Sequence, residues 1–240
     1  LIAGTEKTII VIAAEAGKTA KIYTIKVTRQ SIFFDSYGNS YGTVDLGGYT
    51  WLDRNLGATR VAQTSTDWLA YGSLFQWGRA PDGHERITWT SATAGTPVNG
   101  STSTNADTPT NALFITEPNS PYDWRVNQSS TLWATGASAN NPCPAGFHVP
   151  ISTEWGAVAG AGKAITSTES AFRSALKLPV AGGRDYSNAS LLLQGSYGFY
   201  WSGNVAGPNA FYHYFFASSV GPADSNYRAY GFAVRCIKDY

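Results

Sequence analysis

The sequence lacks methionine, has only two cysteines and three histidines, and carries few charges. Its charged fraction is 14% and its formal net charge is +1, whereas charged residues make up roughly 25% of an ordinary soluble domain. So weakly charged a chain has no basic surface that attracts nucleic acid or an anionic membrane. We therefore expect no nucleic acid among its partners. Because position 1 is leucine and no methionine follows, we expect the chain to begin inside a longer precursor.

Long hydrophobic runs are also missing. No apolar stretch approaches the roughly 20 residues that a membrane-spanning helix needs, so no transmembrane segment is expected. Hydrophobic residues nevertheless form 43% of the 240 residues, which is enough to build a core. This length predicts one large domain, or one domain with a fragment of another.

The common catalytic and metal-binding motifs are absent. The histidines do not form an HExxH pattern, and no GxSxG nucleophile motif is present. A glycine-lysine pair at 162–163 is followed by alanine, where a phosphate-binding loop needs serine or threonine. We therefore expect no catalytic residue, no metal and no cofactor. The three histidines are His84, His148 and His213.

The two cysteines, Cys143 and Cys236, predict one disulfide. A low-charge, exported chain with two cysteines favours a bond between them; the alternative is two buried free thiols. A bond would close a loop of about 90 residues and stabilise the fold by roughly 4–5 kcal/mol in the chain-entropy model.

Residues 1–30 differ from the rest of the chain. An apolar run at 8–12 and an alternating segment at 21–28 flank a turn, and this pattern predicts a β-hairpin. The hairpin resembles the last two strands of immunoglobulin-like or cadherin-like sandwiches, so we interpret it as the remnant of a preceding β-sandwich domain. Alternatively, it lies against the main domain or completes a partner's sheet.

Residues 31–240 are predicted to form the main domain. Apolar spacing at 64–79 predicts a helix. Ser152 is a predicted cap for a second helix, and Thr166 with Glu169 matches the capping box of a third. Residues of about 80–142 are rich in threonine, serine, asparagine, glycine and proline, and we interpret them as a long irregular insertion.

The C-terminal region is rich in aromatic residues. Residues 182–240 contain 14 of the 33 aromatic residues. In a strand from Ala210, alternate side chains face opposite ways. One face then holds Phe211, His213 and Phe215, and the other holds Tyr212, Tyr214 and Phe216. We expect one face to fill the core and the other to offer large rings to a ligand.

A series of motifs resembles one bacterial family. The motifs are WLDRNL (51–56), YGSLFQWGR (71–79), DGH (82–84), NPCPAGFHVP (141–150), YWS (200–202) and GFAVRC (231–236). In this order they resemble the Fibrobacter succinogenes major paralogous domain, found in surface proteins of the Bacteroidetes. The resemblance covers roughly residues 33–240 and implies an extracellular location at the bacterial cell surface.

That resemblance also implies a fold. The family is similar to the C-type-lectin-like fold, so we expect an α+β domain with two or three short helices and small antiparallel sheets. Formylglycine-generating sulfatase-modifying enzymes share the fold and need a reactive cysteine pair. Both cysteines here lie in other motifs, so that activity is not implied.

A second, narrower resemblance concerns residues 200–236. Their composition is similar to the variable regions of proteins diversified by retroelements. Such regions concentrate tyrosine, serine, asparagine and aspartate, which is also the composition favoured in antibody paratopes.

These patterns lead to a functional hypothesis. We expect an extracellular adhesin or ligand-binding module that recognises a protein or a glycan. The alternatives are a structural subunit of a pilus or other surface appendage, and a carbohydrate-active or sulfatase-modifying-like enzyme. The predicted ligand-binding residues are Asn204, Asn209, Tyr212, Tyr214, Phe216, Ser218, Asp224, Ser225, Asn226 and Tyr227.

Overall fold

The computed structural model describes residues 6–13, 16–28, 31–97, 101–102, 109, 111–134, 138 and 140–240. In these residues strands account for 35% and helices for 8%. The expected α+β class is therefore wrong, and with it the C-type-lectin-like domain that the resemblance implied: the protein is largely β, with small and mostly antiparallel sheets.

Most strands are short. The first eleven are β1 (Glu6–Ala13), β2 (Lys21–Thr28), β3 (Phe33–Phe34), β4 (Ser40–Tyr41), β5 (Thr43–Leu46), β6 (Tyr49–Leu52), β7 (Phe75–Gln76), β8 (Ile87–Trp89), β9 (Gly95–Pro97), β10 (Ser101–Thr102) and β11 (Phe114–Ile115). The rest are β12 (Phe147–His148), β13 (Gly183–Arg184), β14 (Leu191–Leu192), β15 (Tyr197–Ala206), β16 (Asn209–Phe216), β17 (Ser219–Asn226), β18 (Gly231–Phe232) and β19 (Ile237–Lys238). The α-helices among the described residues are α1 (Ser152–Val158) and α2 (Thr168–Arg173).

Three sheets are the largest of the main domain, which also contains the two-stranded pairs β3-β4, β8-β9 and β10-β11. Two have four strands each, in the orders β12-β19-β6-β5 and β14-β13-β18-β7, and the third has the order β15-β16-β17. The third sheet has the longest strands of the main domain, and it separates two hydrophobic clusters. Trp201 and Phe232 lie in one cluster with Trp77 and Trp133, whereas Tyr200 lies in the other.

The second cluster lies between this sheet and α1. Trp155 of α1 stacks on His213 at 4.7 Å between ring centroids and also contacts Tyr200. Phe215 stacks on Tyr200 at 5.8 Å. Tyr200, His213 and Phe215 are therefore buried on the α1 side of β15 and β16, and the opposite face carries the rings described below.

The prediction of a helix at 64–79 is wrong. Only a single 3-10 turn, Trp68–Ala70, forms there, followed by β7. Gly72 has a φ of +73°, and a Cβ at this position would overlap the main-chain oxygen of Leu56. This glycine lets two main-chain segments approach each other, so the apolar spacing belongs to a turn and not to a helix.

The other two predicted helices are present, but the capping box is shifted. Ser167 caps α2, because its hydroxyl accepts a hydrogen bond from the Ser170 main-chain N–H. The predicted pair of Thr166 and Glu169 is thus displaced by one residue. At α1 the Glu154 carboxylate accepts the N–H of Ile151 at 2.8 Å, which satisfies a main-chain donor at the start of the helix.

The predicted disulfide is confirmed. Cys143 and Cys236 are bonded across a sequence separation of 93 residues. The bond ties the segment before β12 to the segment before β19, and these two strands pair with each other.

The N-terminal strands β1 and β2 pair antiparallel as a hairpin. Its apolar side chains are exposed, with 63% exposure at Ile10, 65% at Ile12 and 68% at Ile22. A two-stranded hairpin is marginally stable by itself, so the interpretation as part of a larger sandwich stays a prediction. Among the described residues, no helix is long and apolar enough to span a membrane.

A histidine joins the C-terminal segment to α1. Nδ1 of His148 lies 2.7 Å from Oδ1 of Asp239, and Nε2 lies 3.1 Å from Oε2 of Glu154. Carboxylates accept hydrogen bonds, so both ring nitrogens donate and the imidazole is protonated. Burial alone lowers the pKa of His148, but Glu154 and Asp239 together outweigh burial and raise it above its ordinary value.

This arrangement predicts a pH-dependent stability. The folded-state pKa of His148 is raised, so its stabilisation is complete below the unfolded pKa of about 6.5 and is lost as the pH rises through the folded pKa. In urea unfolding from pH 5.5 to 8.5, the stability difference between wild type and His148→Gln should therefore shrink as the pH increases. A difference that is constant over this range would contradict the assignment.

Candidate functional site

The face of the three-stranded sheet that points away from α1 carries a row of aromatic rings. Tyr197, Phe199, Tyr212, Tyr214 and Phe216 lie on it, and we call them the sheet rings. Tyr197 pairs with Phe216 across the strands, and Phe199 pairs with Tyr214. Tyr197 stacks on Phe216 with ring centroids 4.5 Å apart and planes 24° apart, and Tyr214 follows Phe216 at 6.1 Å and 19°. The rings of Tyr197, Phe216 and Tyr214 thus follow one another in a nearly parallel row.

A second group of rings continues this surface. Tyr122, Tyr186, Tyr227 and Tyr230, which we call the tyrosine cluster, come from three separate chain segments. Tyr122 stacks on Tyr227 at 4.1 Å, and Tyr227 lies nearly parallel to Tyr230 at 6.3 Å and 12°. Tyr186 lies across both, at 5.1 Å from Tyr227 and 4.7 Å from Tyr230.

Phe232 joins the two groups into one aromatic surface. Its ring lies 5.4 Å from Tyr230, 5.3 Å from Tyr212 and 5.0 Å from Phe199. Phe232 itself is buried, at 1% exposure. The surface therefore rests on the first hydrophobic cluster, and its outer rings are half-buried: Tyr122, Tyr186, Tyr197, Tyr214, Phe216, Tyr227 and Tyr230.

A buried arginine holds the tyrosine cluster in place. Arg228 follows Tyr227 in the chain and turns inward, where its guanidinium lies 4.8 Å from the ring of Trp77. It donates to the main-chain oxygens of Ser129 and Gly207, each at 2.9 Å. Because Arg228 is fixed from the inside, the neighbouring Tyr227 is directed to the outside.

Hydroxyl groups distinguish the surface tyrosines from other tyrosines of the protein. Four tyrosine hydroxyls donate hydrogen bonds to protein acceptors: Tyr41, Tyr71, Tyr200 and Tyr212. In contrast, six surface hydroxyls have no hydrogen-bond partner within the described part of the chain: Tyr122, Tyr186, Tyr197, Tyr214, Tyr227 and Tyr230. These six groups remain available to a ligand, as donors and as acceptors.

The charges next to this surface are negative. Burial and the neighbouring Asp185 carboxylate raise the pKa of Tyr230 to about 12. Burial, Tyr227 and then Asp185 raise the pKa of Tyr186. Burial followed by Asp224 raises the pKa of Tyr212. The carboxylates of Asp185 and Asp224 therefore act on these three tyrosines.

Five predicted site residues meet on or beside this surface. Tyr214 and Phe216 are among its half-buried rings, and Tyr227 belongs to the tyrosine cluster. Tyr212 is 7% exposed and packs into the core, where its hydroxyl donates to Oδ2 of the exposed Asp224 at 3.3 Å. Tyr212 therefore supports the surface more than it exposes a ring.

The other predicted residues are dispersed. Asn204 accepts the main-chain N–H of Ser152 at 2.9 Å and donates to its hydroxyl, so it satisfies the start of α1. Ser225 pairs with Phe211 across the strands and thus alternates away from Asp224. Ser218 lies exposed in the turn after β16, Asn209 is half-buried at the start of that strand, and Asn226 accepts the N–H of Tyr227.

The sequence reasoning missed Tyr122, Tyr186, Tyr197 and Tyr230. Tyr197 could have been predicted to share the face of Phe199, because the two alternate at the start of β15, the strand that pairs with β16. Tyr122 and Tyr186 lie far from Tyr227 in sequence, and no local pattern announces their contact.

One cluster among the described residues has the composition of a metal site: Asp82, His84 and Glu85, whose ligand atoms lie within 4.8 Å of one another. Nε2 of His84 accepts the main-chain N–H of Gln76 at 3.0 Å, so Nδ1 carries the proton and donates to Asp82 at 2.7 Å. A protonated Nδ1 is not a metal ligand. Asp82 also forms an ion pair with Arg79 at 2.8 Å, and this geometry favours a structural network.

Two glycines give a matched test of the two sheet faces. An added Cβ at Gly198 would overlap the ring of Phe215, and one at Gly221 would overlap the ring of Tyr214. Phe215 is fully buried, so Gly198→Ala should cost about 1–3 kcal/mol in unfolding free energy by overpacking. The half-buried Tyr214 ring can move outward, so Gly221→Ala should cost less than about 1 kcal/mol.

Urea unfolding gives the two stability changes, and the NMR shifts of the Tyr214 ring report its displacement. Equal losses of stability in the two variants would show that Tyr214 is held as tightly as the core.

Comparisons with family models, with curated proteins and with solved structures found no match to this chain. The family resemblance in the sequence motifs therefore stays a prediction, and the functional argument below rests on the geometry of the aromatic surface.

Proposed function

We propose that the protein is an extracellular ligand-binding module that engages a protein or a glycan through the aromatic surface. One observation carries the proposal: six half-buried tyrosines lie in two groups that meet at the buried Phe232, and their hydroxyls have no partner among the described residues. Tyrosine offers a large amphipathic contact area at low entropy cost, which is why binding surfaces favour it.

The support beneath the surface favours binding as well. Rings that contact Phe232 and Tyr212 sit on a close-packed core, so their positions are set before a ligand arrives. Preorganisation of this kind reduces the ordering cost of association. The Cys143–Cys236 disulfide supports an extracellular location, because such bonds persist in oxidising compartments.

A triple variant tests the proposal. Ligands would be selected for the wild-type protein from a glycan array and from a random-peptide display library. Replacing Tyr186, Tyr214 and Tyr227 with alanine should weaken their binding by at least about 100-fold, because central tyrosines contribute about 2 kcal/mol or more each. The unfolding free energy should change far less than for a core substitution.

The matched control removes two rings elsewhere. Tyr49 and Tyr240 contact each other at 5.4 Å, and Tyr240 is 80% exposed. The Tyr49→Ala, Tyr240→Ala double variant should bind as the wild type does. The proposal is refuted if the triple variant binds the selected ligands as tightly as the wild type does. It is also refuted if neither library yields a ligand that binds saturably.

A further inference from the structure

We propose that the tyrosine cluster, together with Asp185, binds an arginine side chain of a partner protein. This inference rests on the proposed function and narrows its ligand to a protein segment that presents a guanidinium group. The chemistry follows from a free carboxylate oxygen, from the tyrosine hydroxyls without a partner and from the way the rings are stacked.

Asp185 contributes the charge. Its Oδ1 accepts the hydroxyl of Ser187 at 2.5 Å, the N–H of Ser187 at 2.8 Å and the N–H of Asn188 at 3.3 Å. Its Oδ2 accepts no hydrogen bond from the described residues. This oxygen lies on the residue that precedes Tyr186, and it is a free acceptor beside the cluster.

The hydroxyls contribute hydrogen-bond acceptors for a cation. The hydroxyl oxygens of Tyr186, Tyr227 and Tyr230 have no partner among the described residues, and a guanidinium has five N–H donors in one plane. Tyr186 lies 5.1 Å from Tyr227 and 4.7 Å from Tyr230 between ring centroids. These acceptors therefore belong to neighbouring rings, and Asp185 precedes Tyr186 in the chain.

Charge complementarity makes the preference specific. The formal net charge of the chain is +1, so the molecule as a whole does not attract a basic peptide. The electrostatic contributions at Tyr186 and Tyr230 come from Asp185 and from other tyrosines, and none comes from a cation. The Asp185 carboxylate is thus the charge that acts on these two rings.

The stacking of the rings favours a protein over a glycan. A sugar ring needs a flat, open aromatic face, but Tyr122 and Tyr227 cover each other at 4.1 Å, as do Tyr197 and Phe216 at 4.5 Å. Hydroxyls without a partner suit a planar group that carries several donors. Arginine has such a group, with five N–H donors in a fixed plane.

A pair of peptides tests the proposal directly. A short fluorescent peptide of alternating glycine and arginine would be titrated with the intact protein at low ionic strength, next to the same peptide with citrulline for arginine. Citrulline keeps the planar shape but is uncharged. We expect saturable binding of the arginine peptide, at least about tenfold weaker binding of the citrulline peptide, and weakening with added salt.

Matched protein variants locate the site. Asp185→Asn keeps the Oδ1 acceptor that the local turn uses but removes the charge, and Tyr186→Ala removes one ring. Each should weaken the arginine peptide by about two- to fivefold. Glu169→Gln removes the same charge from α2, where the side chain is 72% exposed, and it should leave binding unchanged.

The outcomes separate this inference from the proposed function. Equal binding of the citrulline peptide, or equal effects of Asp185→Asn and Glu169→Gln, would overturn the arginine assignment. The arginine assignment also fails if the protein does not bind the arginine peptide but still binds its library-selected ligands through Tyr214 and Tyr227. In that case the proposed function stands and only the ligand class is wrong.

Discussion

Hydrogen bonds from buried indole and guanidinium groups to main-chain carbonyls are the interaction on which the rest of this structure depends. Most strands have only two to four residues, so their ladders satisfy few buried carbonyls. Long side chains supply the missing donors: Arg235 is buried and donates to the oxygen of Leu176 at 2.7 Å. Seven of the eight tryptophans donate to main-chain oxygens: Trp51, Trp77, Trp89, Trp124, Trp133, Trp155 and Trp201.

These donors also determine where the aromatic surface can form. The indole of Trp201 donates to the main-chain oxygen of Phe75 at 2.7 Å, and that of Trp77 donates to the main-chain oxygen of Ser202 at 2.9 Å. These two bonds tie β15 to β7 and to the residue that follows it. On its α1 side the three-stranded sheet is closed by Trp155. The remaining face carries rings whose hydroxyls the fold does not use, and a ligand can use them without disturbing the core.

Part of this arrangement could be predicted from the sequence. The disulfide followed from the cysteine count. Alternation along β16 separated the buried His213 and Phe215 from the half-buried Tyr214 and Phe216, but Tyr212 is buried and Phe211 is half-buried. The fold class was not predicted correctly, because it was taken from the family resemblance and the protein is largely β. The helix expected at 64–79 was also wrong, since apolar spacing around Gly72 imitates a helix while its positive φ makes a turn. Asn204 was predicted to bind a ligand because it lies in a region of binding-type composition, but its side chain accepts the N–H of Ser152 at the start of α1. The contact of Tyr122 with Tyr227 is set by long-range packing, and no local pattern encodes it.

The central claim is that the tyrosines fall into a hydrogen-bonded core set and a surface set with free hydroxyls. Nitration of the native protein, followed by mass spectrometry of its peptides, tests this claim most directly. The account predicts early modification of Tyr186, Tyr214 and Tyr227 and protection of Tyr71 and Tyr200, whose hydroxyls are bonded inside the fold. Protection of the surface set to the same degree as the core set would contradict it.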